Sequence, residues 1–195
     1  MLYRFLRFCG LVLTRLFFHF EVRGRENIPK VGGFILASNH VSYIDPTVLG
    51  FACSRRLTFM AKEELFRNPL FSWFLFKVEA FPIKRNSADI AALKEAMRRI
   101  KKGKALVLFP EGRRSDTKAT FSQPSAGVSF LAEKLNVPVI PAFIKGTEKA
   151  LPKGAKFIRL AKISVYFGKQ IQTERGAPYQ STAQMIMAKI RHLSC

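Results

Sequence analysis

The sequence predicts an α/β fold in a single domain. Short apolar runs with the length and bounding turn residues of β-strands alternate along the chain with segments of helical pattern. At 195 residues the chain is long enough for one α/β domain with a sizeable core, and too short for two. The runs that we interpret as strands are residues 34–38, 57–61, 80–83, 105–109, 139–144 and 163–167.

Capping residues predict where three of the helices begin. The clearest helix runs from a cap at Ser87 to a stop at Gly103, with lysines in its last turn. Asn68-Pro69 predicts a second helix start. Asp45-Pro46 predicts a third, in which Asp45 caps the helix and Pro46 takes the first helical position.

A histidine and an aspartate lie close together after the strand at residues 34–38. Residues 39–45 read Asn-His-Val-Ser-Tyr-Ile-Asp, which places His40 on a strand-to-helix turn and Asp45 at the helix start. From there the carboxylate can reach one ring nitrogen of His40, and such a pair can take a proton from a hydroxyl group. The alternative is structural: Asp45 only caps its helix, and His40 only bonds to the main chain.

Charged side chains follow two further predicted strands. Arg85 follows the strand at residues 80–83, and Glu111, Gly112, Arg113 and Arg114 follow the strand at residues 105–109. In an open α/β sheet such turns gather along one edge, where ligands bind. Arginine binds phosphate with two donors at once, so the arginines predict an anion site near His40. The alternative is a solvated surface turn.

Four sequence blocks resemble the glycerophospholipid acyltransferase family, the lysophosphatidate acyltransferases. Residues 39–45 match the family block N-H-x-S-x-x-D, and residues 109–115, Phe-Pro-Glu-Gly-Arg-Arg-Ser, match F-P-E-G-T-R-S. Residues 81–85 are similar to the family's short strand ending in Arg, and residues 137–141 to its proline-flanked strand. The four blocks come in family order, and the resemblance runs from about residue 24 to residue 168.

The chain departs from the family pattern at three places. Arg113 stands where the family usually has Thr, and this adds positive charge beside Arg114. Glu79 stands where a Gly before the second block is usual. Residues 121–125, Phe-Ser-Gln-Pro-Ser, replace an expected Phe-Lys-x-Gly stretch.

The resemblance implies a fold and a reaction. The fold is a largely parallel central sheet flanked by helices, with an N-terminal amphipathic helical membrane motif. The reaction transfers a fatty acyl group from acyl-CoA or acyl carrier protein to the sn-2 hydroxyl of 1-acylglycerol-3-phosphate (lysophosphatidate), giving phosphatidate. It needs no metal and no cofactor beyond the acyl donor. Another lysophospholipid or glycerol-3-phosphate is the alternative acceptor.

Each motif residue has an expected role. His40 is the general base, and Asp45 holds its tautomer and stabilises the imidazolium. The substrate hydroxyl replaces the serine of a Ser-His-Asp triad, so no acyl-enzyme is required, and Ser42 stabilises the turn. The resemblance assigns the acceptor phosphate to Arg85 and Arg114. To these we add Arg113, with Glu111 ordering the turn or binding a hydroxyl and Gly112 allowing close approach of the backbone. By analogy with the family, backbone N–H groups near Val139 and Ile140 bind the oxyanion.

The charge and the cysteines restrict the partners. A net charge of +20 predicts an anionic partner, which is nucleic acid, a membrane surface or a phosphorylated substrate. Nucleic acid is the less favoured partner, because no helix-turn-helix spacing, zinc-ligand spacing or aromatic RNA-binding strand is evident and the chain contains nineteen Phe residues. Three scattered cysteines match neither a disulfide framework nor a zinc site, so a reducing compartment is expected.

The N-terminus predicts association with a membrane. Residues 1–22 form an apolar segment in which Arg4, Arg7 and Arg15 share one helical face, too interrupted by charge to span a bilayer. We therefore expect a membrane-associating helix over residues 1–22 and an acyltransferase domain over 23–195. The protein would be peripheral or monotopic, on the cytoplasmic face of the inner membrane. A helix that packs on the core is the alternative.

A second aromatic-rich stretch covers residues 65–81. We expect most of its rings to lie in the core, with some lining an acyl-chain channel or adding to the membrane-facing surface. The rings are those of Phe66, Phe71, Trp73, Phe74 and Phe76.

Overall fold

A seven-stranded sheet forms the centre of the protein. The computed structural model describes residues 19–84, 89–112, 124–152, 154–155 and 157–194. The strands are β1 (Phe20–Arg23), β2 (Phe34–Ser38), β3 (Leu57–Lys62), β4 (Ala80–Ile83), β5 (Ala105–Leu108), β6 (Val139–Lys145) and β7 (Ile163–Phe167). Six of them lie where the hydrophobic pattern predicts strands, and β1 is additional.

Helices connect most of the strands. They are α1 (Asp45–Ala52), α2 (Pro69–Lys77), α3 (Ile90–Lys101), α4 (Gly127–Leu135), the short α5 (Thr147–Ala150) and α6 (Tyr179–His192). Two 3-10 turns, Arg25–Asn27 and Glu63–Phe66, complete the regular structure of the described residues. Asn68 caps α2 as predicted, because its side chain accepts from Phe71 N at 3.0 Å.

The sheet is mostly parallel, as the α/β pattern predicts. The strand order is β1-β7-β6-β2-β5-β3-β4, and every neighbouring pair is parallel except β6 and β7. The carboxyl ends of β2 to β6 therefore meet at one edge, here called the reactive edge. Because β7 runs antiparallel to β6 and β1 runs with β7, the chain enters β1 at this same edge, where Ile163 N donates to His19 O at 3.2 Å.

Both faces of the sheet are covered. Phe34 and Leu36 of β2 belong to an apolar cluster with α1, whereas Ile35 and Ala37 belong to a cluster with α3, α4 and α6. Successive strand side chains point to opposite faces and both faces are covered, so β2 is apolar from Phe34 to Ala37, and all five of its residues, Ser38 included, are buried. Each large apolar side chain removed from water contributes about 1.5–3 kcal/mol.

Two predicted boundaries are wrong. Phe20 to Val22, assigned to the N-terminal helix, instead form most of β1 and pair with β7, because Phe-Glu-Val-Arg alternates apolar and charged residues with the period of a strand. The rest of that predicted helix lies outside the described residues. α3 is capped by Asp89, whose carboxylate accepts from Ala92 N at 2.9 Å. Ser87, the expected cap, is also outside the described residues.

The aromatic rings of α2 are exposed, contrary to the prediction. Relative exposure is 43% for Phe71, 53% for Trp73, 41% for Phe74 and 55% for Phe76, and Leu75 is the buried residue of the helix. Apolar composition predicts burial only when another part of the chain covers the residues. In the part of the chain that the structure describes, no helix is both long and apolar enough to cross a membrane.

The backbone conformation of Glu79 explains why glycine is usual at this position in the family, and its ion pairs explain how a glutamate can replace it. Its φ of 64° is in the left-handed region, which favours glycine. The glutamate is held by Lys104 Nζ at 2.6 Å, Arg99 Nη1 at 3.3 Å and Arg56 Nη2 at 3.5 Å. Burial opposes ionisation of Glu79, but the hydrogen bond from Lys104 and the nearby cations keep its pKa below the ordinary value. The ion pairs thus help to offset a backbone cost of about 1–2 kcal/mol.

Candidate active site

His40 and Asp45 are in direct contact at the reactive edge. β2 ends at Ser38, His40 follows on the turn, and Asp45 begins α1. His40 Nδ1 lies 2.8 Å from Asp45 Oδ2, the side chain of His40 is 12% exposed and that of Asp45 is fully buried. The sequence prediction that these two side chains pair is therefore confirmed geometrically.

Asp45 does not cap its helix as predicted. Besides His40, its Oδ2 accepts from Val41 N at 2.7 Å and Ser42 N at 2.8 Å, both in the turn before the helix. A carboxylate can only accept, so Nδ1 of His40 carries a hydrogen, and in the neutral imidazole Nε2 then has the lone pair. This tautomer is the one that can accept a proton from a hydroxyl group.

The turn that carries His40 is fixed from several sides. Asn39 Nδ2 donates to Ile144 O at 2.9 Å, and Ile144 N donates to Asn39 Oδ1 at 2.7 Å. Ser42 Oγ donates to Leu151 O at 2.9 Å, which agrees with the predicted role of Ser42 in the turn. The ring of Phe109 stacks on that of His40 with centroids 4.1 Å apart. Neither Asn39 nor Phe109 was predicted from the sequence as a supporting residue, although both lie inside the matching blocks.

Glu111 and Gly112 lie on the turn after β5, at the same edge. Glu111 is buried, and this burial raises the pKa of its carboxyl to about 7; Arg191 opposes the shift and the charge of Asp45 adds to it. Gly112 has a φ of 66°, so the turn requires a residue that tolerates the left-handed region. Arg85, Arg113 and Arg114 lie outside the described residues, and their predicted roles remain predictions.

The predicted oxyanion donors are wrong. Val139 N already donates to Ile171 O at 2.9 Å, and both Val139 and Ile140 are fully buried. They begin β6, whereas the reactive edge lies at the other end of that strand. A strand position alone does not tell which of its N–H groups the sheet uses.

A pocket of about 460 Å³ lies beside the end of β4. Its apolar walls come from Phe76, Phe81 and Pro82, and its charged walls include Lys84, which directly precedes Arg85. The pocket could not be predicted from the sequence, because its walls come mainly from α2, β4 and α3, which are separate in the chain.

The charge state of Glu111 should make stability depend on pH. Between its ordinary value of 4.5 and its folded pKa of about 7 the folded state holds the proton more tightly than the unfolded chain, so raising the pH through this window destabilises the fold. From about pH 5 to about pH 8 the free energy of unfolding should fall about 2–3 kcal/mol more in the wild type than in Glu111→Gln. Urea unfolding at each pH measures the free energy of unfolding of both proteins.

The matched control for this prediction is Glu174→Gln, at an exposed position on the turn before α6. It should follow the wild-type pH profile. If Glu111→Gln follows it too, the folded pKa of Glu111 is ordinary and the burial argument is wrong.

Fold and site together define a class of protein. A histidine oriented by a buried aspartate at the carboxyl edge of a mostly parallel sheet can remove a proton from a hydroxyl group. The model of the Acyltransferase family matches residues 19–145. The chain belongs to this family, which confirms the resemblance drawn from the four sequence blocks.

Curated relatives carry one name. The chain is 27% identical over 152 residues to a 1-acyl-sn-glycerol-3-phosphate acyltransferase of Bacillus subtilis, covering 77% of this chain and 73% of the relative. It is 32% identical over 159 residues to the enzyme of that name from Saccharomyces cerevisiae, covering 79% of this chain and 52% of the relative. The chain thus spans about three quarters of the first relative and about half of the second.

A solved structure has the same fold. The crystal structure of the 1-acyl-sn-glycerophosphate (LPA) acyltransferase PlsC from Thermotoga maritima matches with a TM-score of 0.84 and 27% sequence identity. The match covers 98% of this chain and 78% of that chain. It confirms the α/β fold class.

Proposed function

We propose that the protein transfers a fatty acyl group from an acyl thioester to the sn-2 hydroxyl of 1-acylglycerol-3-phosphate and so makes phosphatidate. The pairing of His40 with Asp45 at 2.8 Å carries the proposal, because it leaves Nε2 able to accept the hydroxyl proton. The family and the names of the relatives support the choice of reaction and acceptor. Acyl-CoA and acyl carrier protein are both anionic, and both suit a chain of charge +20.

The reaction needs one base and no covalent enzyme intermediate. The acceptor oxygen bonds to the thioester carbonyl carbon while His40 Nε2 takes the hydroxyl proton and the carbonyl π electrons move to oxygen. When the carbonyl forms again, the carbon–sulfur bond breaks and the imidazolium returns the proton to the departing sulfur. Asp45 stabilises the imidazolium in between. The hydrogen bond from Ser42 Oγ to Leu151 O favours a role for Ser42 in the turn over one as a nucleophile.

The acceptor phosphate would be held by Arg85 and Arg114, with Arg113 beside them. Lys84 and Gly112, the last described residues before these arginines, follow the carboxyl ends of β4 and β5. Both strands end at the reactive edge, which supports a shared phosphate site there. Glu111 would order this turn from its buried position, and Gly112 supplies the conformation that the turn needs.

A thiol-release assay tests the reaction. Lysophosphatidate and acyl-CoA are added to purified protein in detergent, and the release of free thiol and the formation of phosphatidate are measured. The same assay with acyl carrier protein identifies the donor, and glycerol-3-phosphate and other lysophospholipids replace the acceptor in parallel. If no combination of donor and acceptor gives product, the proposal is contradicted.

The arginines should act on the acceptor. Arg114→Ala or Arg85→Ala should raise the KM for lysophosphatidate about 10–100-fold, because a hydrogen bond to a charged group contributes about 1.5–3 kcal/mol. The KM for the acyl donor should change much less. Steady-state kinetics with each substrate varied in turn measures both. Arg175→Ala, on an exposed turn before α6, is the matched control. An unchanged acceptor KM in both variants would contradict the assignment.

We also propose that the protein works at a membrane surface, on the cytoplasmic face of the inner membrane. The charge of +20 and the apolar, arginine-bearing composition of residues 1–18 support this. The chain enters β1 at the reactive edge, the same edge of the sheet that carries His40.

A further inference from the structure

Helix α2 and the turn before it expose a patch of large apolar side chains that the described part of the protein does not cover. The six apolar side chains of the patch formed by α2 and the preceding 3-10 turn are at least 41% exposed, with Leu70 highest at 77%. They are Leu65, Leu70, Phe71, Trp73, Phe74 and Phe76. Ring contacts join part of the patch: Phe66 lies 5.1 Å from Phe76, and Phe71 lies 6.1 Å from Phe74, between ring centroids. Contiguous exposed apolar patches mark interaction sites.

The shape of the patch indicates what covers it. At 100° per residue the exposed apolar residues of α2 occupy an arc of roughly 220°, opposite the buried Leu75. The groove of a protein partner covers one face of a helix, whereas the headgroup boundary of a bilayer surrounds a half-immersed helix over such an arc. The helix is also too short to span a bilayer.

The polar groups of the segment fit a lipid surface. Lys77 Nζ lies 5.6 Å from the centroid of the Trp73 ring, so this pair has a cation above an amphipathic ring, as is common where membranes meet water. Arg67 precedes the helix and Lys77 is its last residue; both are exposed, so their side chains can reach lipid phosphates. The 3-10 turn before α2 follows the end of β3 at the reactive edge, which brings the patch to the side of the protein that carries His40.

We propose that α2 and the turn before it dock on an anionic lipid bilayer, with Trp73 and its neighbouring phenylalanines inserted at the headgroup boundary. This inference rests on the proposed membrane function and names a surface for it. Apolar burial holds the docked helix, because Lys62, Arg67 and Lys77 are nearly balanced by Glu63 and Glu64 within the segment. Docking at α2 should therefore persist at high salt once the protein is bound.

Trp73 is a direct reporter, because the chain contains one tryptophan. Full-length protein is mixed with vesicles of equal phosphatidylcholine and phosphatidylglycerol, some carrying brominated acyl chains. The emission of Trp73 should shift to the blue and be quenched by bromine near the headgroups. Phe71→Ser with Phe74→Ser should weaken vesicle binding at least tenfold, and the thiol-release rate in detergent should stay unchanged. A control pair at exposed positions elsewhere, Val31→Ser with Met185→Ser, should bind like the wild type.

Other occupants of the patch give different results, and each would overturn the proposal. If residues 1–18 cover α2, the emission of Trp73 is already blue without vesicles and bromine does not quench it. If a second copy covers α2, the protein dimerises without lipid, and Phe71→Ser with Phe74→Ser makes it monomeric. Vesicle binding without quenching of Trp73 would place the contact elsewhere. If the detergent assay itself shows no acyl transfer, the proposed reaction fails, whereas the quenching result still decides the docking.

Discussion

Replacing His40 by alanine should lower the rate of acyl transfer about 10²–10⁴-fold, the usual contribution of a positioned general base. The reason is geometric: Nδ1 is committed to Asp45 at 2.8 Å, so Nε2 is the atom that receives the proton. The fold should survive, because the ring is partly exposed and stacks on Phe109 at the edge of the sheet. Thiol release measures the rate, and circular dichroism measures the folded fraction.

Ser42→Ala is the matched control for this prediction. It removes a hydroxyl from the same turn and with it the hydrogen bond to Leu151 O at 2.9 Å, at a cost of about 0.5–1.5 kcal/mol in stability. Its rate per folded molecule should stay close to that of the wild type. A His40→Ala protein with a near-normal rate would end the acyltransfer proposal. A Ser42→Ala protein with a rate as low as that of His40→Ala would point to an acyl-serine intermediate.

Asp45→Asn should cost both rate and stability. Its rate should fall by about two to four orders of magnitude, because a neutral amide no longer stabilises the imidazolium and no longer specifies the tautomer of His40. Its stability should fall by about 1–3 kcal/mol, because the amide N–H group would be buried at the position of Asp45 Oδ1, which has no hydrogen-bond partner among the described residues. Urea unfolding and thiol release, compared at equal folded fraction, separate the two effects.

Ser42→Ala again provides the comparison for Asp45→Asn, because it destabilises the same turn without changing the charge beside His40. If Asp45→Asn loses stability but keeps a wild-type rate per folded molecule, Asp45 acts only on the turn. The interpretation of Asp45 as the partner of the general base would then be wrong. The role of His40 as the general base would still be decided by the rate of His40→Ala.

Strand positions could be predicted because burial on both faces leaves a plain pattern. Continuous apolar runs form all of β5, β2 as far as Ala37 and β6 as far as Ile144, and a central parallel strand needs such a run. β1 was missed because its four residues directly follow the apolar N-terminal segment, so that the end of the helical pattern hides the start of the alternation. Edge strands carry a weaker signal, since one side of their main chain has no neighbour.

The contact between His40 and Asp45 could also be predicted, because their spacing on a strand-to-helix turn allows few other partners. The remaining hydrogen bonds of Asp45 could not. Spacing places the carboxylate near several N–H groups, and only the turn geometry decides that it accepts from Val41 and Ser42 and does not cap α1. For the same reason the burial of Glu111 and its raised pKa come from the fold.

The rings of α2 show a different limit of sequence analysis. Hydrophobicity measures how strongly a side chain avoids water, but it does not say which surface removes it from water. Phe71 and Phe74 have the composition of core residues, and the fold leaves them more than two fifths exposed. The five aromatic residues among residues 66–76 therefore predicted a burial in the core that the fold does not provide for α2.

Asn39 makes the turn that carries His40 an extension of the sheet. The last paired residues of β2 and β6 are Ser38 and Ala142, and the side-chain amide of Asn39 continues the pairing with Ile144 in both directions. The amide imitates a neighbouring peptide group, so aspartate would set an oxygen against the Ile144 carbonyl and glutamine would carry its amide on too long an arm. The imidazole of His40 is therefore preorganised, in place before any substrate arrives, and substrate binding energy need not be spent on ordering it.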